Sequence, residues 1–137
     1  MHPIANLRAD SVDMVLCAMP DPGSHRSAYA MRECHRLFDR CRNPYEALLI
    51  PALAIWSALT SGRVECRERL PRLGTVGGFL IERRLVIECD GPKRLVTRDR
   101  DLQAAGYAVR RLAMEELDPD EIRHELGAAF DSLRVVH

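Results

Sequence analysis

Glu88 and Asp90, two residues apart in "RLVIECDGP", close a run that is otherwise apolar. In an extended strand, side chains at i and i+2 share a face, so both acids point the same way. Two such groups repel unless they share a proton or a cation, and paired carboxylate oxygens suit Mg²⁺. An ionised carboxylate in an apolar strand also needs compensation, because burying it alone is costly. A second arrangement meets that need equally well: Glu88 pairs with an arginine such as Arg98 or Arg111, and Asp90 only makes the Asp90-Gly91 turn.

The rest of the composition bounds what the pair can serve. With 137 residues, 47% of them hydrophobic and 29% charged, the chain is expected to fold as a soluble domain spanning 25–137, behind an N-terminal arm over 1–24. Acidic and basic residues number 20 each, so no global field draws the protein to nucleic acid or to anionic lipid; such contact would need a local patch. Lys93 is the only lysine among the basic residues. Five cysteines without CxxC spacing argue against a disulfide framework or a zinc ribbon and fit a reducing cytoplasm. Cys34, His35 and Cys41 with His25 could ligate zinc, yet the same spacing suits core packing of one helix. No signal peptide or membrane span is expected, since "ALLIPALAIWSAL" is short and carries a proline.

These residues need elements to position them. Ala28, Met31, Cys34, Phe38 and Cys41 recur at helical spacing over 25–41. "NPYE" opens a second helix, with Asn43 as N-cap, Pro44 at the first position and Glu46 placed to reach back; Gly62 is expected to end it. Beyond Gly62 the period becomes two. Val64 and Cys66, then "TVGGFLI", read as strands of a meander, with "RLVIECD" as a third strand, apolar on both faces and so central. Thr97 is expected to cap a short helix ending at Gly106, with Leu102 and Ala105 facing inward. "YAVRRL" is a fourth strand, parallel to the central one across the helix crossover. Asp118 and Pro119 start a last helix with the apolar stripe Ile122, Leu126, Ala129, Phe130 and Leu133. The expected fold is α/β, a small mixed sheet flanked by helices.

From Asn43 onward, "NPYEALL", "RLVIECDGP", the set Arg98, Asp99, Leu102, Gly106, Tyr107, Val109 and Arg111, and the closing acidic helix together resemble the very-short-patch-repair (Vsr)-like endonuclease domains. Those belong to the PD-(D/E)xK restriction-endonuclease-like superfamily, whose core is αβββαβ. RNA-binding RAP domains share the E-x-D-G-P strand and are the nearest competitor. The resemblance implies a bacterial, DNA-binding nuclease scaffold in which Glu88 and Asp90 hold Mg²⁺ and Glu46, on the first core helix, joins them as a catalytic group. Glu46 read from its spacing is also the capping partner of Asn43. The family's aspartate on the preceding strand is replaced by Gly77-Gly78-Phe79, and the histidine after the Asp-Gly turn is missing. Glu82 lies in a turn and points away. Lys93, Arg94, Arg98, Arg100 and Arg111 are the candidate nucleic-acid contacts, with phosphates as their targets. The expected function is binding of nucleic acid, DNA before RNA, or of a protein partner, without efficient cleavage. The alternatives are an active Mg²⁺-dependent endonuclease and an antitoxin-like or adaptor domain that uses the apolar second helix.

Overall fold

The computed structural model describes residues 4–19, 21, 23–89 and 96–134. It is an α/β protein with three N-terminal helices, a mixed sheet with a small hairpin, and C-terminal helices. The chain divides into two compact units, Met1–Arg67 and Glu68–His137.

In the first unit, α1 (Ile4–Ala18), α2 (His25–Arg40) and α3 (Pro44–Thr60) pack on one another, and β1 (Val64–Cys66) follows. Helix α1 takes the place of the expected arm. It is fixed by burial of Ser11 and Val15, and by Arg8, which donates from Nε to His35 Nδ1 and pairs with Asp39 at 3.0 Å. Helix α2 starts at Ser24, whose Oγ accepts from Ser27 N. Its buried face is Ser27, Ala30, Cys34, Leu37 and Phe38. Ala28, expected inside, is exposed. Leu37 has far more apolar surface to bury than an alanine methyl and sets the rotation of the helix.

Helix α3 begins as the sequence predicts, with Asn43 Oδ1 accepting from Glu46 N and Pro44 in the first turn. It ends one residue before the expected glycine, at Ser61, which adopts φ 60 and donates its backbone N–H to Ser57 O. Ser57 Oγ then donates to Gly62 O at 2.6 Å, which satisfies a hydroxyl that would otherwise be buried alone.

The second unit opens with a hairpin absent from the expectation, β2 (Arg69–Leu70) against β3 (Gly74–Thr75). Strands β4 (Gly78–Ile81) and β5 (Leu85–Cys89) are antiparallel, with Gly78 opposite Glu88 and Ile81 opposite Leu85. Glu82 and Arg83, both at φ 53, make the turn between them. Helix α4 (Val96–Ala104) carries the chain across to β6 (Ala108–Leu112), which runs parallel to β5 with Glu88 beside Arg111. Strand β5 therefore lies between β4 and β6, and every one of its residues is buried. Leu70, Val76, Leu80, Val86 and Leu102 form the core on one face.

Helix α4 starts at Val96, so Thr97 lies inside it rather than capping it, and Ala105 is exposed because the helix has already ended. Gly106, at φ +98, lets Tyr107 N reach back to Leu102 O. A 3-10 turn, Met114–Glu116, leads to α5 (Pro119–Arg134). There Asp118 and Glu121 exchange the two hydrogen bonds of a capping box, and Leu126 and Ala129 are buried with Ile122, Phe130 and Leu133 half-buried.

Candidate functional site

Residues aligned on neighbouring parallel strands send their side chains to one face, so Glu88 on β5 and Arg111 on β6 meet. Arg111 Nη1 stands 2.8 Å from Glu88 Oε2. The crossover helix brings a second acid onto the same guanidinium: Arg111 Nε donates to Asp99 Oδ2 at 3.1 Å and Nη2 to Oδ1 at 2.5 Å. The three side chains are 7%, 11% and 20% exposed for Glu88, Arg111 and Asp99. Asp99 lies in the first turn of α4, where the helix dipole favours an anion. The fork of Arg111 thus grips one carboxylate with two bonds and a second with its remaining nitrogen, a geometry that lysine cannot supply.

This arrangement answers what compensates a carboxylate inside an apolar strand. It also turns Arg111, a candidate phosphate contact, inward onto two carboxylates. Of the other candidate contacts, Arg98 donates from Nη2 to Thr75 O, while its Nε is buried with no hydrogen-bond partner among the described residues. Arg100 is exposed on α4. Asp90, Lys93 and Arg94 lie outside the described residues, so the pairing of Asp90 with Glu88 is not part of the described geometry.

The position that should bear a third acid is shaped against one. A Cβ built on Gly78 would overlap the carbonyl oxygen of Ile87 and stand 3.0 Å from Glu88 Cα. Both are backbone atoms that the β4–β5 pairing holds in place, so restoring an aspartate at Gly78 is not a route to a metal site. A Cβ on Gly77, by contrast, would meet open space. Among the described residues no group of three or more His, Cys, Asp or Glu is arranged to hold a metal ion. Among the described residues Glu88 is held by Arg111, and β4 carries no acidic side chain beside it.

Glu46 belongs to the first unit and is fully buried there. Its Oε1 accepts from Arg42 N at 2.9 Å and from Arg67 Nε at 3.0 Å, and its Oε2 lies 2.7 Å from Arg67 Nη2 as an ion-pair contact outside hydrogen-bonding geometry. It therefore reaches back past the helix start, as a capping partner does, one residue beyond the cap itself. Arg67 is the residue that sequence reasoning missed. It sits at φ 52, and its carbonyl accepts from Arg40 Nη2 while Arg40 Nε donates to Cys66 O. A non-glycine residue held in the left-handed region is over-determined by its contacts. Nothing in the spacing of Arg67 marks it, since it looks like one of many arginines in a polar strand end.

Burial disfavours chemistry by Cys34, Cys41 and Cys66, whereas Cys17 is exposed. Desolvation pushes the Cys66 thiol up to about 12, with the negative Glu46 adding to the effect, and the Cys34 thiol up to about 11. Cys41 is raised by burial as well. At neutral pH these are thiols that pack, and Cys34 and Cys41 lie in the core of the helical unit rather than around a metal. A cleft of about 300 Å³ in the same unit is lined by Tyr29, Glu33, Arg36, Arg63, Val64 and Glu65. Its carboxylates are already engaged, Arg36 holding Glu33 at 2.6 Å and Glu65 at 2.8 Å.

No family, curated protein or solved structure matches this chain. Among the described residues no helix is long and apolar enough to cross a membrane.

Proposed function

We propose that the chain is a nucleic-acid-associated protein with a restriction-endonuclease-like core, in which the acid of the central strand serves an ion triad instead of a metal. It binds DNA in preference to RNA, or a protein partner, and does not cleave efficiently. The observation that carries this reading is the 2.8 Å pairing of Arg111 with Glu88, reinforced by Asp99. A cation fixed at the ligand position competes directly with Mg²⁺, and metal-assisted hydrolysis needs both the ion and a positioned water. The order α3, β1, β4, β5, α4, β6 supports the αβββαβ core, with the β2–β3 hairpin as an insertion. Arg100 is exposed on α4, and in a chain of zero net charge nucleic-acid binding has to come from a local patch rather than from the whole field. Five cysteines without a disulfide support a cytoplasmic setting.

The test is a labelled DNA duplex titrated with the protein at rising salt, followed by incubation with millimolar Mg²⁺ or Mn²⁺. Binding that weakens with salt, with no strand cleavage above background, is the expected result. Cleavage abolished by Glu88→Ala would replace this reading with the active endonuclease. Absence of both binding and cleavage would leave the adaptor role, and salt-sensitive binding restricted to RNA would favour the RAP-like alternative.

A further inference from the structure

We infer that the exposed face of α3 is a homotypic interface, on which two copies of this chain pair as antiparallel helices. Helix α3 buries most of its circumference in its own unit, but one stripe is left outside. Leu48 is 53% and Leu59 48% exposed, and Ala52 and Ile55 between them are half-buried. Their spacing of four, three and four is that of the seam of a two-helix coiled coil, in which such positions stack along one line.

Two properties of the stripe select a second copy of this chain as the occupant. First, it is symmetric about its own middle. An antiparallel two-fold places Leu48 against the partner's Leu59 at each end and small Ala52 against the partner's Ile55 at the centre. At the centre a large side chain thus meets a small one, leucine meets leucine at the ends, and every contact occurs twice, as an isologous interface requires. In a parallel pairing Ile55 would face its own copy and Ala52 would face another methyl, which leaves a bulge beside a gap. Second, no residue from Ala47 to Thr60 is charged. Self-pairing therefore brings no like charges together, and a nucleic acid or a charged peptide would find nothing on this face to pair with. A single helix face buries less than the roughly 800 Å² per partner of a standard interface, so the dimer is a weak one that forms with concentration.

Sedimentation equilibrium of the full chain from roughly 10 µM to roughly 1 mM tests this, a range in which a weak dimer is populated. The mass is expected to rise from one chain toward two. Leu48→Glu alone and Leu59→Lys alone each place a charge on the seam and should raise the dimer Kd at least about tenfold. Both positions are exposed, and circular dichroism checks that each variant retains its helices. The double variant Leu48→Glu/Leu59→Lys should recover the dimer, because the antiparallel pairing sets each introduced glutamate opposite the partner's introduced lysine. A protein that stays monomeric across the range would overturn the proposal. So would a dimer that ignores both single substitutions, or a double variant that associates no better than the singles.

Discussion

At the residue scale, the placement of Glu88 decides how the rest of the site behaves. Truncating one member of a buried ion pair leaves the other charged and desolvated, which typically costs about 3–5 kcal/mol, whereas replacing both by apolar groups of similar volume is often near neutral. Arg111→Met should therefore destabilise the protein by about 3–5 kcal/mol in urea unfolding. Adding Glu88→Leu to it should recover most of that loss, since Asp99 is the more exposed acid and solvent can take over its share. If the double variant were as unstable as Arg111→Met alone, Glu88 would not depend on Arg111. The need for a cation beside Glu88 was legible from a carboxylate in an apolar strand, and Arg111 was one of the arginines named as an example of such a partner. Asp99 was not legible as its companion. Flanked by Arg98 and Arg100, it looks locally neutralised, but consecutive residues on a helix point in different directions, and the helix aims Asp99 at β6 instead.

At the element scale, the close approach of β4 to β5 is written in one glycine. Gly78→Ala should force a methyl into the Ile87 carbonyl and disturb the pairing opposite Glu88, a clash of the kind that costs about 1–3 kcal/mol or more. Gly77→Ala meets open space and should be neutral or stabilising by up to about 1 kcal/mol, through the unfolded chain alone. Thermal unfolding of the two variants side by side checks this, and equal midpoints would refute the argument. The order of α2, α3, the central strand, α4, β6 and α5 was readable for separate reasons: α2 and α5 carry an apolar period, α3 and α5 a cap, the central strand an unbroken apolar run, and Gly106 divides α4 from β6, although Thr97 does not supply the cap expected of it. Helix α1 was not, since its apolar residues Leu7, Val12, Met14, Val15 and Leu16 fall on no single stripe, and only the packing of neighbouring helices selects which of them is buried. The β2–β3 hairpin was hidden for a different reason: two residues per strand are too few to show alternation.

At the scale of the whole molecule, the charge balance directs attention to high pH. Arginine keeps its charge and carboxylates keep theirs throughout the alkaline range, and with Lys93 the single lysine, the buried thiols become prominent. A thiol whose pKa is raised on folding stays protonated in the native protein while the unfolded chain ionises. The unfolded state then binds fewer protons, so stability falls as pH rises. For Cys66 that window runs from the ordinary thiol value of 9.0 to about 12, and for Cys34 from 9.0 to about 11; below it the stabilisation is complete. Urea midpoints should therefore be level between pH 7 and 8 and drop progressively between about pH 9 and 11. Cys66→Ala opens a small cavity and lowers the midpoint at every pH, so the informative quantity is the slope. It should be shallower in the variant, because one of the groups that the unfolded chain ionises first has been removed. A slope identical to that of the unaltered protein would mean that Cys66 titrates alike in both states, and that Glu46 and its surroundings exert no hold on it.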